Sequence, residues 1–352
     1  MFKVNHSPGR AVLAALACVA AAAFAPPAVA QAPDSLTFIG RGAAGAISDL
    51  AMSVLEEATK RAYPDVKLRR LPGTATAVPP RIESGEAQFG HGVGESVADA
   101  WSGERSFAGK PPMKSLRYVG MYLGYALRPT VAPTLVTLEK SGIKTWGDLK
   151  GKRIAVGPPD SLTSKMVNAG LAGAGLSYDK IKEQGGLVVT GDWNQAMDQL
   201  GDGQVDAVFV SADHPSAIIT RLWASHKVRL VSAPAEVVNA LITAYPTSIP
   251  DSMEPGVYEG QSYQVSGIKL SLAFVVHKDV PEEVVYNICK QLYFPDKAAV
   301  WDDTVPSWKG ASKLWKDAAS NVFIPIHPGA KRCFEEAKIP IKIIAKGGDP
   351  AS

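Results

Sequence analysis

The amino-acid sequence predicts an α/β protein of two lobes with a ligand cleft between them. Short apolar runs typical of strands alternate with longer segments whose apolar residues recur at helical spacing. This alternation indicates parallel sheets covered by helices. The chain has 352 residues, whereas single hydrophobic cores usually stop growing at roughly 250–300 residues. Two lobes are therefore expected.

The first thirty residues have the pattern of a secretory signal peptide. Lys3 and Arg10 precede an uncharged apolar run over residues 11–25, and Ala28–Ala30 has the small residues of an A-x-A cleavage site. The run is shorter than the ~20 residues that a membrane-spanning helix needs. Cleavage after Ala30 and a periplasmic mature protein are expected; an uncleaved anchor and a lipid-modified Cys18 are the alternatives.

The first lobe begins after this leader. Residues 36–39 form a predicted strand that glycine ends at Gly40, and residues 46–62 have apolar residues at helical spacing without internal Gly or Pro. Further strands are predicted over 66–68 and 87–90, and a further helix over 95–101.

A second series begins near Thr130, and the chain is expected to cross between lobes near 126–133 and to return near 240–250. This assigns 31–127 and 241–352 to lobe one and 128–240 to lobe two. In the second lobe, a basic turn and strand over 151–157 precede predicted strands over 187–189, 206–210 and 228–231 and helices over 161–174, 194–200 and 214–223. After the return we expect a strand over 269–276 and helices over 281–293, 296–301 and 312–318.

Charge and cysteine content narrow the class of protein. Without the leader the net charge is about +1 (35 basic minus 34 acidic side chains), and no basic block marks a nucleic-acid or anionic membrane surface. Cys289 and Cys333 remain after cleavage. An oxidising compartment permits a disulfide between them, with two buried thiols as the alternative.

Three predicted strand-to-helix junctions, over 40–45, 73–76 and 157–163, are rich in glycine and small polar residues. Ligands of open α/β sheets bind outside the carboxyl ends of the strands, where helix N-termini offer free N–H groups that suit anions. Arg41 is a candidate clamp for a carboxylate, with a solvated loop arginine as the alternative. The candidate ligand-binding residues are Arg41, Gly45, Ala46, Ile47, Ser48, Thr74, Ala75, Thr76, Glu95, Ser161, Thr163 and His214.

Catalytic and cofactor sites are poorly supported. Gly40–Gly45 contains G-x-G-x-x-G, but the next predicted strand ends in Arg69-Arg70, where a dinucleotide site needs an acid. The histidines and cysteines lack zinc-site spacing, and no G-x-S-x-G elbow is present. Glu95 and Asp160 form the remaining candidate acid/base pair, so an exported hydrolase or lyase is an alternative. We expect no cofactor and no metal.

Several motifs in order give the chain a family resemblance. They are Ala44-Gly45-Ala46-Ile47-Ser48-Asp49-Leu50-Ala51, the segment GEAQFG over 85–90, LKGKRIAVG over 149–157, GQVDAVF over 203–209 and IHPGA over 326–330. The chain resembles the TAXI-type solute receptors of TRAP transporters. The resemblance implies a type II periplasmic-binding-protein fold and a non-catalytic receptor, and we expect a monomer. Such a receptor delivers a small molecule, often glutamate or a related carboxylate, to membrane subunits driven by an ion gradient.

The presumed pocket departs from that family at several positions. Where relatives have paired glycines, aromatics, amides and acids, this chain has Ala44, Ile47, Ser48, Thr74, Ala75, Val78, Glu95 and Asp160. The missing donors predict a ligand other than glutamate. An ABC-type receptor and a sensory receptor are the alternatives within the same fold.

Overall fold

A computed structural model describes residues 33–41, 47–159 and 161–344, with only the backbone of Arg41. The predicted signal peptide with Cys18, and the candidate residues Gly45, Ala46 and Asp160, lie outside the described residues. Within the described ranges, no helix is long and apolar enough to span a bilayer.

The first lobe contains a five-stranded sheet in the order β2-β1-β3-β12-β4. β1 is parallel to β2 and β3, whereas β12 is antiparallel to its neighbours β3 and β4. Its strands are β1 (Ser35–Arg41), β2 (Lys67–Pro72), β3 (Phe89–Val93), β4 (Leu116–Met121) and β12 (Leu272–His277).

The second lobe repeats this design in the order β7-β6-β8-β5-β9, with β6 parallel to β7 and β8, and β5 antiparallel to β8 and β9. Its strands are β5 (Thr134–Leu138), β6 (Arg153–Ala155), β7 (Leu187–Val189), β8 (Ala207–Val210) and β9 (Val228–Val231). In each sheet, one strand that arrives from the other lobe is antiparallel to both neighbours. It is β12, between β3 and β4, in the first sheet, and β5, between β8 and β9, in the second. Both lobes therefore have one strand order, although the sequence shows no internal repeat.

Helices cover both sheets. They are α1 (Ile47–Ala62), α2 (Val78–Glu83), α3 (Gly94–Ser102), α4 (Leu123–Ala126), α5 (Leu162–Gly173), α6 (Tyr178–Glu183), α7 (Trp193–Gly201), α8 (Ala217–Ser225), α9 (Ala235–Ala244), α10 (Glu282–Tyr293), α11 (Val300–Thr304) and α12 (Pro328–Glu336). The predicted helix over 312–318 is a 3₁₀ helix, Ala311–Asp317.

The two crossings between the lobes pair with each other. Ala132 and Ile268 exchange backbone hydrogen bonds of 2.7 and 3.2 Å. An antiparallel ribbon of β10 (Ile249–Met253) and β11 (Val265–Lys269) precedes the return crossing, and its buried residues Met253 and Val265 pack into a core of the second lobe. The ribbon therefore buries its apolar face against the second sheet before the paired crossing at Ile268, and the return expected near 240–250 stays a prediction.

A disulfide joins Cys289 of α10 to Cys333 of α12, with the two Cα atoms 6.2 Å apart. The sequence left a bridge and two free thiols open, and the structure shows the bridge. It lies inside the core of the first lobe, so its role is to hold α12 against α10.

Candidate functional site

A cavity of about 470 Å³ opens at the carboxyl end of β2 and the first turn of α1. It is lined by Ser48, Pro72, Gly73, Thr74, Ala75, Ala77 and His91. The junction after β2 is tight because the Thr74 carbonyl accepts from the N–H groups of Ala77 and Val78 at 3.0 and 3.1 Å. Any Cβ at Gly73 would lie 2.7 Å from Ile39, so a larger residue does not fit there. The cavity brings together the predicted residues Ser48, Thr74 and Ala75.

Two other candidates of the first lobe do not line this cavity. Ile47 is partly buried and packs against the core of the lobe. Thr76 is exposed, and its hydroxyl lies 3.5 Å from that of Thr74. The turn that holds Thr74 and Ala75 at the cavity therefore places Thr76 on the solvent side.

The N-terminus of α5 carries the candidates of the second lobe. Ser161 caps the helix by accepting from the Ser164 N–H at 3.1 Å, and the buried Thr163 donates to the hydroxyl of Ser211 at 3.0 Å. Leu162 between them packs against the cores of both lobes. The start of this helix therefore lies at the boundary between the lobes.

Trp193 packs against the junction after β6 and was not among the candidate residues. Gly157, just after β6, has φ +81°, and a Cβ there would lie 2.7 Å from Trp193 Nε1. The indole N–H is buried without a hydrogen-bond partner among the described residues. A glycine that follows a strand and precedes a proline pair was the signal for this close packing.

Glu95 is part of a bond between the lobes. Its side chain is 3 % exposed, and its carboxylate accepts from the Thr247 N–H at 2.9 Å and from Arg105 Nη2 at 3.1 Å. Burial raises the pKa of Glu95, against the opposing effect of the hydrogen bond from Thr247. Since Thr247 follows α9 of the second lobe, Glu95 ties the lobes together, and both of its carboxylate oxygens accept hydrogen bonds within the protein.

Arg105 completes this contact, which we call the latch (Glu95, Asp99 and Arg105 of the first lobe with Ala244 and Thr247). Its guanidinium bonds Asp99 at 2.7 Å and also donates to the carbonyl of Ala244 at the end of α9. A cation at a helix C-terminus is favourable because the free carbonyls carry partial negative charge. The latch therefore joins α3 to the end of a helix in the other lobe.

His214 is 1 % exposed and uses both ring nitrogens within the protein. Nδ1 lies 2.7 Å from the Tyr258 hydroxyl, and Nε2 lies 2.9 Å from the Thr134 hydroxyl, which donates to the carbonyl of Val131 at 2.7 Å. Burial lowers the pKa of His214 to about 4. Neither ring nitrogen of His214 is free for the predicted ligand contact. His214 instead stabilises the segment that crosses between the lobes.

His91 lines the cavity and was not among the candidate residues. It lies on β3 and is 7 % exposed. Its Nδ1 lies 2.7 Å from the hydroxyl of Tyr122, whereas Nε2 has no partner within the part of the chain that the structure describes. Burial lowers the pKa of His91 to about 4, so the ring is neutral at pH 7.

The cavity walls are uncharged among the side chains that the structure describes. The nearby Arg70 is held by Glu56 at 2.6 Å and Asp49 at 2.8 Å. No group of three or more His, Cys, Asp or Glu side chains in these described residues is arranged to hold a metal ion. Among the described lining residues, the polar groups are backbone N–H groups, hydroxyls and the neutral imidazole of His91.

Two α/β lobes with one strand order, joined by paired crossings, define the type II periplasmic-binding-protein fold. The chain belongs to the NMT1-like family, whose model matches residues 76–337. The TAXI-type assignment is a finer one than this match, and it stays a prediction.

Solved structures of binding proteins resemble the chain at low identity. The alkanesulfonate-binding protein SsuA from Xanthomonas axonopodis pv. citri, bound to MOPS, is 16% identical with a TM-score of 0.42, over 90% of this chain and 97% of that one. The sulfonate-binding protein SsuA from Methylobacillus flagellatus KT is 13% identical with a TM-score of 0.49, over 87% and 86%. An ancestral arginine-binding protein bound to arginine is 16% identical with a TM-score of 0.42, over 80% and 100%. None of these similarities indicates a ligand for this chain.

Proposed function

We propose that this chain is an extracytoplasmic solute-binding protein that holds a small molecule between its lobes and delivers it to a membrane transporter. The observation that carries the proposal is the pair of like lobes joined by two adjacent crossings, with a cavity of about 470 Å³ at the carboxyl ends of first-lobe strands. Each lobe supplies only part of such a site, so closure of a hinge completes it.

The proposed contacts come from both lobes. Ser48, Thr74 and Ala75 line the cavity, and Ser161 stands at the start of α5, where the lobes meet. Arg41, Gly45, Ala46 and Thr163 stay in the proposal from their sequence positions. Glu95 and His214 leave it because their polar atoms are occupied, and this also argues against a hydrolase that uses Glu95 as an acid or base.

The motif resemblance favours a TAXI-type receptor that serves a TRAP transporter driven by an ion gradient. An ABC-type receptor and a sensory receptor share the fold. Genes beside this one distinguish them: TRAP membrane subunits without an ATPase favour the first, an ATPase the second and a sensor kinase the third. A leader cleaved after Ala30, read by intact-mass analysis of exported protein, tests the periplasmic location.

A thermal-shift screen of carboxylates, amino acids and sulfonates tests the binding function. A ligand at 100 times its dissociation constant adds about 2.7 kcal/mol of apparent stability, and small-angle scattering should then show a smaller radius of gyration. Formation of product from any hit at enzymatic rates would contradict the receptor function. The absence of any hit in the screen, together with the absence of a retained ligand in native mass spectrometry, would also contradict it.

Arg41 is the proposed partner of an anionic ligand. A charge-assisted hydrogen bond contributes about 1.5–3 kcal/mol, so Arg41→Ala should weaken binding of an anionic hit by roughly one to two orders of magnitude. Arg81→Ala is the control, because Arg81 is on the surface and 3.6 Å from Glu86. Wild-type affinity in Arg41→Ala, measured by calorimetry, would remove Arg41 from the site.

A further inference from the structure

His91 lines the cavity, and its Nε2 has no hydrogen-bond partner among the described residues, whereas Nδ1 bonds Tyr122. It follows Gly90 on β3, and its backbone pairs with Phe274 of β12. A Cβ at Gly40 would lie 2.4 Å from the His91 Cβ, so β1 leaves the side chain little freedom to move away. The ring is a lining residue of the cavity and is 7 % exposed.

The hydrogen bonds around Tyr122 determine which ring nitrogen of His91 carries the proton. The Tyr122 hydroxyl is fully buried, and its side-chain hydrogen bond is the one with His91. Its own proton needs an acceptor, and His91 Nδ1 lies 2.7 Å away. A neutral imidazole has one N–H and one acceptor nitrogen. Nδ1 is the acceptor, so the proton is on Nε2.

The second lobe contains a similar tyrosine–histidine pair, but the other ring nitrogen of its histidine has a partner in the protein. The Ser216 N–H donates to Tyr258 at 2.8 Å, and the Tyr258 hydroxyl lies 2.7 Å from Nδ1 of His214. There the Nε2–H has a protein acceptor, Thr134 at 2.9 Å. In the first lobe the corresponding N–H has no acceptor among the described side chains.

We propose that His91 donates its Nε2–H to an oxygen of the ligand, a carboxylate or an amide carbonyl, in the first-lobe cavity. This assignment rests on the proposed binding function and adds a specificity residue to its site. A ligand that closes the cavity cuts this N–H off from water, and an N–H enclosed without an acceptor is unfavourable, so the cavity favours molecules that place an acceptor oxygen beside His91. Purely apolar molecules and molecules that present only donors there are disfavoured.

The tautomer is tested first, on the unmodified protein without a ligand. Long-range ¹H–¹⁵N spectra of histidine-labelled protein at neutral pH should show His91 protonated on Nε2 only. His91→Gln assigns the signal by its loss, and His214 serves as an internal reference for the same tautomer. An Nδ1–H tautomer of His91 would overturn the proposal.

The acceptor is tested next by titration with acetate and with acetamide. A shift of the His91 signal by both probes indicates any carbonyl-type oxygen, and a shift by acetate alone indicates a carboxylate; either supports the proposal. An unchanged His91 signal with both probes at high concentration would refute it, whatever the screen for the natural ligand finds.

Variants then separate this proposal from the binding function. For a hit from the screen, His91→Leu should weaken binding about tenfold, the effect of one hydrogen bond, while His91→Gln, whose amide N–H₂ replaces Nε2–H, retains part of the affinity. His226→Gln, at the end of α8, is the control. If all three variants bind the ligand equally, His91 is not part of the binding site, but the receptor function stands.

Discussion

Acidification should destabilise this protein because three histidines are buried in the neutral form. Burial lowers the pKa of His91, His214 and His327 to about 4, whereas an exposed histidine in the unfolded chain has a pKa of about 6.5. Between these values the unfolded chain binds more protons than the folded one. The stabilisation is therefore complete above about pH 6.5 and is lost progressively as the pH falls towards about 4.

The size of the effect follows from the two pKa values. For each histidine, the free energy of unfolding should fall by about 2 kcal/mol between about pH 7.5 and about pH 5. Three such residues amount to about 6 kcal/mol, a large part of the ~5–15 kcal/mol that stabilises a typical domain. Glu95 and Asp99 act in the opposite direction, because burial raises their pKa and the folded state then gains protons on acidification.

A single variant isolates the contribution of one histidine. His91→Gln should lose about 2 kcal/mol less than wild type between about pH 7.5 and about pH 5, measured by urea denaturation at both pH values. His226→Gln should keep the wild-type loss and controls for the substitution itself. If His91→Gln loses as much stability as wild type, His91 is not buried as a neutral ring, and the reasoning about its tautomer fails with it.

Three further variants test the disulfide, the latch and a helix cap. Cys333→Ala opens a loop with a sequence separation of 44, and the chain-entropy model predicts a loss of about 4 kcal/mol in urea denaturation; a loss below about 1 kcal/mol would contradict it. Glu95→Ala leaves the partly solvated Arg105 without one partner and should cost about 2 kcal/mol, whereas the exposed Glu86→Ala should cost under about 1 kcal/mol; equal losses would refute the latch. Ser161→Ala should cost about 1 kcal/mol through the lost cap and weaken ligand binding, and unchanged melting would show that the cap is not formed.

Most of the local structure could be predicted from sequence because its signals are local. The helix predicted over 46–62 is observed over Ile47–Ala62, and the strand predicted over 187–189 is Leu187–Val189. Apolar periodicity and glycine or proline breaks specify such elements within a few neighbouring residues. The junctions at Thr74 and Ser161 were found for the same reason, since a strand that ends before a small polar residue and a helix marks the carboxyl edge of a sheet.

The ribbon over Ile249–Lys269 was missed because its proline-rich sequence has no clear alternation. It becomes a ribbon only where its apolar face packs against the second lobe.

The roles of individual polar residues depended on distant partners, so only the tertiary structure could decide them. Glu95 is a latch residue because Thr247, 152 positions away, donates to it. His214 and His91 both bond a tyrosine, but Thr134 accepts from Nε2–H of His214, whereas His91 lines the cavity. The sequence by itself determined the two α/β lobes and the sheet edges where a ligand is expected, through patterns of adjacent residues. Which side chains remain free at those edges was decided by long-range packing, because a buried polar atom is available to a ligand only when the fold has brought it no other partner.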